Sequence, residues 1–353
     1  MTSIFDLETA VVLIDLDVVE ANIARVQSLF DSLGIGLRPH IKTHKIPFLG
    51  ELQMKQGAIG IAVQKISEAE VFAGAGFTDI TLCFNLLSPA KIARLRALVA
   101  TCHMTVVADN IETVQALSAG IAGSQTKLDV LVECDTGSGR CGVQSPQAAC
   151  DLARAIAARP GLNFAGLMSY PPPGATLRVQ EFLMQARDLC VAAIGHCRVI
   201  SGGGTPSLLD AGLAPILTEY RAGTYIYNDR SLVARGVCTL ADCALTVLAT
   251  VVSRPTPTRA VLDAGSKSLT SDLLGLNGYG EILGFPDAVI SGLSEEHGHV
   301  TLKTGSDMPK IGQKVQIVPN HACPVSNLVD RVTLHRSGKV MREVEVAARG
   351  TVV

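Results

Sequence analysis

The sequence has little charge of either sign and no long apolar run. Only 18% of its 353 residues are charged, and 30 Lys and Arg against 32 Asp and Glu leave a formal net charge of −2. A chain this close to neutrality does not attract polyanions, which argues against nucleic acid and anionic membranes as main partners. No apolar stretch reaches the roughly 20 residues that a membrane-spanning helix needs. The absence of tryptophan and an aromatic content of 4% exclude no class of protein.

The ten cysteines form no CxxC pair, and the N-terminal stretch MTSIFDLETA contains acids but no base. Secretory signals begin with a basic segment, and disulfide scaffolds or zinc ribbons space their cysteines in characteristic patterns. We therefore expect a cytoplasmic protein whose thiols are reduced and mostly buried.

The chain is rich in apolar residues, 48% of the total, arranged in short β-branched runs that alternate with amphipathic segments. One helix is predicted at Ser67–Phe77, where Ser67 and Glu70 would form a capping box. Another is predicted at Ser145–Arg159, where Pro146 lies just inside the start. The predicted strands are Leu37–Thr43, Ile59–Gln64, Asp79–Phe84, Met104–Asp109, Leu128–Asp135, Phe164–Tyr170, Arg198–Gly202 and Glu219–Tyr227.

Strands that are each followed by a helix predict an α/β fold, a (β/α)8 TIM-like barrel. A doubly wound sheet is the alternative, but no GxGxxG turn opens at the first strand. Towards the C-terminus, short alternating segments such as RAVLDAG and KVQIVPN are separated by Gly and Pro, which predicts an all-β domain. We place the barrel at residues 8–235 and the β domain at residues 236–353, with the N-terminal TAVVLIDLDVV as a candidate further strand of the latter.

Polar clusters follow the predicted strands at their C-terminal ends, where barrel enzymes carry their active sites. These clusters are Lys42, Gln64, Cys134–Gly142, Tyr170, Ser201–Thr205 and Arg221–Tyr225. The last two, SGGGT and RAGTY, follow neighbouring strands, and their glycines let backbone N–H groups approach a phosphate closely. A GGG run alone is also typical of a flexible turn, but the second glycine-containing loop favours a phosphate site.

A phosphate site opposite a lysine at a strand end indicates pyridoxal 5′-phosphate (PLP), which needs a lysine amine for its Schiff base. From the residues alone, Lys42 and Lys45 are both candidates. Strand alternation would place His40, Lys42 and His44 on one face, so Lys42 has two titratable neighbours and is the better candidate. For Lys45 a solvated surface position is the alternative.

Over nearly its full length the chain resembles the fold-type III PLP enzymes of the D-threonine aldolase and D-serine dehydratase-like family, which share a barrel and a β domain with alanine racemase. The motifs that carry the resemblance are RPHIKTHK (Arg38–Lys45), QKISEAE (Gln64–Glu70), DTGSGRCGV (Asp135–Val143), SGGGT, RAGTY, LDAGSK (Leu262–Lys267), EEHG (Glu295–Gly298) and PNHACP (Pro319–Pro324). The resemblance implies that Lys42 binds the cofactor covalently and that Arg140 approaches the phenolic oxygen of its ring.

The predicted catalytic residues are Lys42, Tyr170 and His40. The predicted cofactor contacts, with the two glycine loops holding the phosphate as the resemblance implies, are Lys42, Gln64, Arg140, Tyr170, Ser201, Gly203, Gly204, Thr205, Gly223, Thr224 and Tyr225.

The PNHACP motif adds a predicted metal site at His321 and Cys323. On an extended segment, side chains two residues apart leave the same face, and an imidazole with a thiolate favours zinc over harder cations. Without the family resemblance, a His and a Cys at this spacing are more often unrelated residues than ligands of one metal ion. The resemblance implies a divalent ion beside the substrate, with manganese or magnesium as alternatives to zinc. His297 lies in another family motif and is not assigned as a ligand.

The resemblance implies a homodimeric lyase that acts on β-hydroxy-D-amino acids. Our first prediction is D-threonine-aldolase-like cleavage to glycine and an aldehyde. The alternative is a D-serine or 3-hydroxyaspartate dehydratase, which releases a keto acid and ammonia. Cys323 favours that alternative, because aldolases of the family typically have Asp at this position.

An amino-acid racemase, with Tyr279 as the second base, and a PLP carrier protein are further alternatives that the metal motif disfavours. The segment Pro171–Gly174 reads PPPG where both family branches have a more polar stretch, which points to an unusual substrate.

Overall fold

The computed structural model describes residues 2–307 and 309–353, which form two compact units. The barrel unit comprises Val26–Lys42, Pro47–Gly223 and Thr351–Val353. The β unit comprises the chain up to Arg25, Thr43–Ile46 and Thr224–Gly350.

The elements follow in chain order. The strands are β1 Val11–Asp15, β2 Gly36–Leu37, β3 Ile61–Val63, β4 Asp79–Leu82, β5 His103–Ala108, β6 Leu128–Cys134, β7 Leu162–Ser169, β8 Val199–Gly202, β9 Glu219–Tyr220, β10 Leu245–Thr256, β11 Arg259–Leu262, β12 Glu281–Ile282, β13 Val289–Leu293, β14 Gly298–Thr301, β15 Lys314–Val318, β16 Arg331–Arg336 and β17 Lys339–Glu345. The α-helices are α1 Leu16–Leu33, α2 Pro47–Gln56, α3 Ile66–Gly74, α4 Pro89–Val99, α5 Ile111–Ile121, α6 Pro146–Ala157, α7 Thr176–Ile194, α8 Arg230–Ala234, α9 Ser266–Leu269 and α10 Ala322–Leu328. Across residues 2–307 and 309–353, no helix has the length and apolar character needed to cross a membrane.

The barrel unit contains eight parallel strands in the order β2-β9-β8-β7-β6-β5-β4-β3. A bridge between His40 and Ala62 adds a parallel pairing next to the two outer strands of that order. The strands are almost wholly buried, as continuous apolar runs in a parallel sheet should be. This confirms the predicted TIM-like barrel.

The β unit contains a nine-stranded sheet in the order β11-β14-β13-β12-β15-β10-β1-β16-β17. Its pairings are antiparallel apart from that of β1 with β16. The N-terminal strand β1 therefore lies within this sheet, between β10 and β16. The structure confirms the predicted all-β fold of the C-terminal part. The ten cysteines are free thiols, so no disulfide contributes to either unit.

Two predicted strands are much shorter than expected. The strand predicted at Leu37–Thr43 ends at Leu37, and Ile41–Thr43 is a 3-10 turn. Hydrogen bonds on the β9 side continue past Leu37, because the N–H groups of Arg38 and His40 donate to the carbonyls of Tyr220 and Ala222. On the other side Pro39 has no N–H to donate, and the chain makes a single bridge, between His40 and Ala62, before it turns. The strand predicted at Glu219–Tyr227 likewise ends at Tyr220. The side-chain alternation that we used for Lys42 therefore does not apply.

One of the two predicted helix starts is also wrong. The Glu68 carboxylate, not that of Glu70, accepts hydrogen bonds from the N–H groups of Gln64 at 2.7 Å and Lys65 at 3.1 Å. The Ser67 hydroxyl instead donates to the Val353 carbonyl at 2.6 Å. The helix start at Ser145 is confirmed, because its hydroxyl accepts the N–H of Ala148 at 3.1 Å.

Candidate active site

Lys42 lies in the 3-10 turn after β2 and is half-buried. The turn is anchored to the barrel, because the His40 N–H donates to the Ala222 carbonyl at 2.8 Å. The structure therefore brings Lys42 to the C-terminal end of the parallel strands, although through a turn and not through a continuing strand. This is the position at which a barrel presents reactive groups.

His40 is buried beside Lys42 and held in one tautomer. The Gln64 amide donates its Nε2–H to the Cys83 carbonyl at 2.9 Å, which leaves Gln64 Oε1 facing His40 Nε2 at 3.2 Å. His40 Nε2 must then carry the hydrogen, and Nδ1 is left as an acceptor. Burial lowers the pKa of His40 well below its ordinary value, and the charges of Lys42 and Arg221 lower it further. These effects favour the neutral form of the imidazole next to Lys42.

A chain of buried polar side chains crosses the barrel interior. The Arg38 guanidinium pairs with the Glu219 carboxylate at 2.9 Å, and the Ser201 hydroxyl donates to the same carboxylate. Arg221 donates to the Ser201 hydroxyl and, at 2.8 Å, to the Ser169 carbonyl. Of this set the sequence predicted a role only for Ser201. Arg221 could have been identified from its place at the start of the RAGTY motif, but we assigned it no role.

The glycine loop after β8 has the shape of an anion cradle. Gly203 has φ +86°, and a Cβ there would lie 2.2 Å from the Tyr220 ring. The Tyr220 hydroxyl donates to the Gly204 carbonyl at 2.9 Å, which fixes the next peptide. The N–H groups of Gly203 and Gly204 donate to no other residue within the described chain. Unpaired N–H donors with no side chain to cover them fit the phosphate of PLP.

Gly223 and the segment after it form the second predicted loop. Gly223 is half-buried, and its N–H has no acceptor among the residues that the structure describes. Thr224 and Tyr225 belong to the 3-10 turn Thr224–Ile226 of the β unit, where the Tyr225 ring is buried. Thr205 begins the 3-10 segment Thr205–Leu213 and is also buried.

Substituting Gly203 with alanine should impair cofactor binding. The positive φ costs an alanine about 1–2 kcal/mol, and the contact of its Cβ with Tyr220 costs about 1–3 kcal/mol more. We expect Gly203→Ala to be purified with little PLP, measured by cofactor absorbance per chain. Gly236→Ala is the matched control, because Gly236 also has a positive φ but a Cβ there meets no atom within 4 Å. Equal PLP content in the two variants would contradict the cradle.

Arg140 and Tyr170 contact each other on the same barrel rim. The guanidinium carbon lies 4.6 Å from the Tyr170 ring centroid, at cation–π distance. Arg140 also lies 3.8 Å from the Glu133 carboxylate at the end of β6. Burial raises the pKa of Glu133, and the charges of Arg140 and Arg221 partly offset this. Glu133 was not identified from the sequence, although it lies two residues before Asp135, where the Asp135–Val143 motif begins.

The loop that carries Arg140 is rigidly folded. The Asp135 carboxylate accepts the N–H groups of Gly137 at 2.8 Å and Gly139 at 3.2 Å. Burial would raise the pKa of Asp135, but these hydrogen bonds outweigh it and lower the pKa. The Ser138 hydroxyl donates to the Tyr170 carbonyl at 2.9 Å, which links the loop to the start of the PPPG segment.

In the β unit, His321 and Cys323 lie side by side, but not on an extended segment. His321 is the N-cap of α10, and Cys323 lies in the first turn of that helix. The two side chains meet nevertheless, because the N-cap backbone is extended and turns the imidazole towards the helix start. The Cys323 sulfur also lies 3.2 Å from the Thr43 hydroxyl and 3.5 Å from the Thr224 hydroxyl.

The electrostatics of this pair favour a thiolate. Burial raises the pKa of Cys323, but the hydrogen bonds from His321, Thr43 and Thr224 outweigh burial and lower it. Burial lowers the pKa of His321, but its contacts with Cys323 and Asp272 outweigh burial and raise the pKa to about 9. A thiolate beside an imidazole that releases its proton when a metal binds is a donor set that fits a soft divalent ion. In the part of the chain that the structure describes, no three His, Cys, Asp or Glu side chains cluster as ligands of one ion.

Three other residues discussed from the sequence have defined positions in the structure. Lys45 is not a solvated surface group: it is buried, and its amine donates to Asn327 Oδ1 at 2.8 Å. His297 is exposed, and its carbonyl accepts the Ser294 N–H at 2.9 Å. Tyr279 is half-buried, with its N–H bonded to the Ile290 carbonyl at 3.0 Å.

Two protein-family models match the chain. The alanine racemase N-terminal domain matches residues 14–231, and a serine dehydratase domain matches residues 244–335. D-threonine aldolase of Arthrobacter sp. is 35% identical over 97% of this chain and 93% of its own length.

Solved structures agree in fold. The D-threonine aldolase from Filomicrobium marinum has a TM-score of 0.88 at 32% identity and covers 99% of this chain and 97% of its own. D-threo-3-hydroxyaspartate dehydratase from Delftia sp. HT23 has a TM-score of 0.87 at 29% identity, covering 98% and 99%. A cysteine-to-alanine mutant of a D-threo-3-hydroxyaspartate dehydratase was solved in a metal-free form.

Proposed function

The chain belongs to the family of D-threonine aldolases and D-serine dehydratases, lyases built on an alanine-racemase-type barrel, and we propose that it cleaves β-hydroxy-D-amino acids with PLP and a divalent metal ion. The observation that carries the proposal lies on the barrel rim. A half-buried lysine and two glycine loops with unpaired N–H groups occupy the C-terminal ends of the same parallel sheet. The family implies PLP dependence, and these residues fit that cofactor.

We assign the cofactor contacts to the barrel-rim residues. Lys42 would hold the aldehyde carbon, and the N–H groups of Gly203, Gly204 and Gly223 would bind the phosphate. When bound, PLP supplies an electron sink for negative charge that develops at the substrate α-carbon. Arg140, which contacts Glu133 and Tyr170, would support the phenolic side of the ring.

Lys42 would also move the proton at the α-carbon, since its amine becomes free when the substrate displaces it. The neutral His40 suits this role, because an imidazolium in the same place would disfavour protonation of the Lys42 amine. Tyr170 is 39% exposed and presents its hydroxyl-bearing ring at the rim, so it is a candidate for substrate contact.

We assign the metal to His321 and Cys323. A bound ion would act as a Lewis acid towards the β-hydroxyl oxygen of the substrate. The family resemblance carries both the Lys42 motif and the PNHACP motif, which supports assigning both to one reaction.

Retro-aldol cleavage to glycine and an aldehyde is our first candidate, and the Arthrobacter and Filomicrobium aldolases support it. A dehydratase is the second candidate. The observation that favours it is Cys323, because the resemblance associates cysteine here with dehydratases. As in the family, we propose that the enzyme is a homodimer, which light scattering of the purified protein tests.

Product analysis tests the proposed function. PLP-loaded protein is incubated with D-threonine, D-serine and 3-hydroxy-D-aspartate, with zinc, with manganese and after metal removal. Glycine with an aldehyde supports the aldolase, whereas a keto acid with ammonia supports the dehydratase. Metal removal should abolish either activity. Racemised amino acid alone, or no turnover of any of these substrates, would overturn the proposal.

A further inference from the structure

A carboxylate that the sequence did not mark reaches the metal motif from a distant segment of the β unit. Asp272 follows α9, and its Oδ2 lies 2.7 Å from Nδ1 of His321. Neither side chain is fully exposed: 43% of the Asp272 side chain and 31% of the His321 side chain are accessible. The contact is therefore a short hydrogen bond between partly buried groups, 49 residues apart in the chain.

The backbone around Asp272 is fixed by the residue that precedes His321. Asn320 is buried, and its amide donates to the carbonyls of Asp272 at 3.1 Å and Gly278 at 2.8 Å. Arg230 in turn donates to Asn320 Oδ1 at 3.1 Å. A side chain held through its own backbone loses little conformational freedom when it makes the bond to His321.

The helix start that carries Cys323 is fixed by a second carboxylate. Asp229, which is buried, accepts the N–H of Ala322 at 3.0 Å. The backbone between the two metal-motif residues is thus held by Asp229. Rotation of the His321 ring is a further freedom, and the hydrogen bond from its Nδ1 to Asp272 restricts it.

The geometry decides between two roles for Asp272. A carboxylate at Nδ1 accepts the hydrogen of that nitrogen and leaves the lone pair of Nε2 for an ion. As a ligand, Asp272 would instead belong to a group of three donors around one point, and the described residues form no such group. We propose that Asp272 is a positioning residue that fixes the tautomer and the ring orientation of His321 for metal binding. This inference rests on the proposed function, in which His321 and Cys323 hold the ion.

Metal affinity of the PLP-loaded full-length protein is the main test. We expect Asp272→Asn to bind Zn²⁺ about 10- to 100-fold more weakly than the wild type, since this is the usual effect of losing a partner of a ligating histidine. Affinity is measured by competition with a chromophoric chelator. Asp272→Glu, which keeps the carboxylate, should recover part of the loss. Asp307→Asn, at an exposed position of the same unit, is the matched control and should bind like the wild type.

Bound Co²⁺ distinguishes a positioning role from ligation. If Asp272 acts through His321, the ligand-field bands of Co²⁺ saturate at the same wavelengths in Asp272→Asn and the wild type, at higher metal concentration in the variant. A changed band pattern at saturation would mean that a ligand was lost, and would overturn the positioning role. Equal thermal unfolding temperatures of the metal-free variants exclude a general loss of fold as the cause.

The same titrations separate this inference from the proposed function. His321→Ala should abolish tight binding. If the wild type itself bound no metal tightly, the metal assignment of the proposed function would fail. If the wild type bound metal, His321→Ala did not, and Asp272→Asn matched the wild type, only the role of Asp272 would be wrong.

Discussion

Lys42→Ala is expected to have no covalently bound cofactor and at least about 10³-fold lower activity, because it loses both the amine that holds the aldehyde and the group that moves the α-proton. The prediction follows from the place of Lys42 at the barrel rim, beside a neutral histidine. Borohydride reduction of the wild type, followed by peptide mass spectrometry, should place the PLP label on the peptide that contains Lys42. The variant should give no labelled peptide.

Lys55→Ala is the control, because Lys55 is exposed on α2 of the same unit. It should retain the label and the activity of the wild type. A label on Lys45 would overturn the assignment. The structure makes that outcome unexpected, since Lys45 is buried and its amine donates to Asn327. Circular dichroism of Lys42→Ala should match the wild type, which separates loss of chemistry from loss of fold.

The barrel could be predicted from the sequence because its signals are local. Short β-branched runs separated by capped amphipathic helices define each strand and helix without reference to the rest of the chain. The start of α6 shows this, where Ser145 caps and Pro146 follows. The C-terminal ends of the strands then identify the rim, so that Lys42, Gln64 and Tyr170 could be placed there before their contacts were known.

The local conformation of the two motif-bearing segments could not be predicted in the same way. The segment from His40 to Thr43 forms an isolated β-bridge followed by a 3-10 turn. Its pattern of apolar and polar residues is the same as that of a short strand. His321 and Cys323 were assigned to an extended segment for a similar reason, although α10 begins between them. In both places the decisive feature is a change of backbone direction within two residues, and a periodic pattern needs more residues than that to be recognised.

Partners that are distant in the chain were missed altogether. Arg38 and Glu219 are 181 residues apart, and nothing near either one marks it as half of a buried ion pair. Asp272 and Glu133 were overlooked on the same grounds. A charged residue in a sequence is most simply interpreted as exposed, and only the register of β2 with β9 brings Arg38 towards Glu219.

Glu219→Gln is expected to destabilise the barrel unit by about 3–5 kcal/mol, because it leaves one buried cation without its linked carboxylate. Glu219 accepts from Arg38 on one oxygen and, through the Ser201 hydroxyl, balances Arg221 on the other. Arg38 retains Asp79 at 2.6 Å, so the charge of Arg221 is the one left without a linked carboxylate. The free energy of unfolding in urea, followed by far-ultraviolet circular dichroism, measures the loss.

A second ion pair in the same unit provides the comparison. Glu70 pairs with Arg94, but their side chains are 38% and 34% accessible, so water screens them. Glu70→Gln should therefore cost no more than about 1 kcal/mol. Replacing Arg221 and Glu219 together with Met and Leu should cost less than Glu219→Gln alone if the penalty comes from the unpaired buried charge of Arg221. If Glu219→Gln and Glu70→Gln lowered the free energy of unfolding equally, the network of Arg38, Glu219 and Arg221 would not be desolvated. The barrel rim would then not depend on these buried charges.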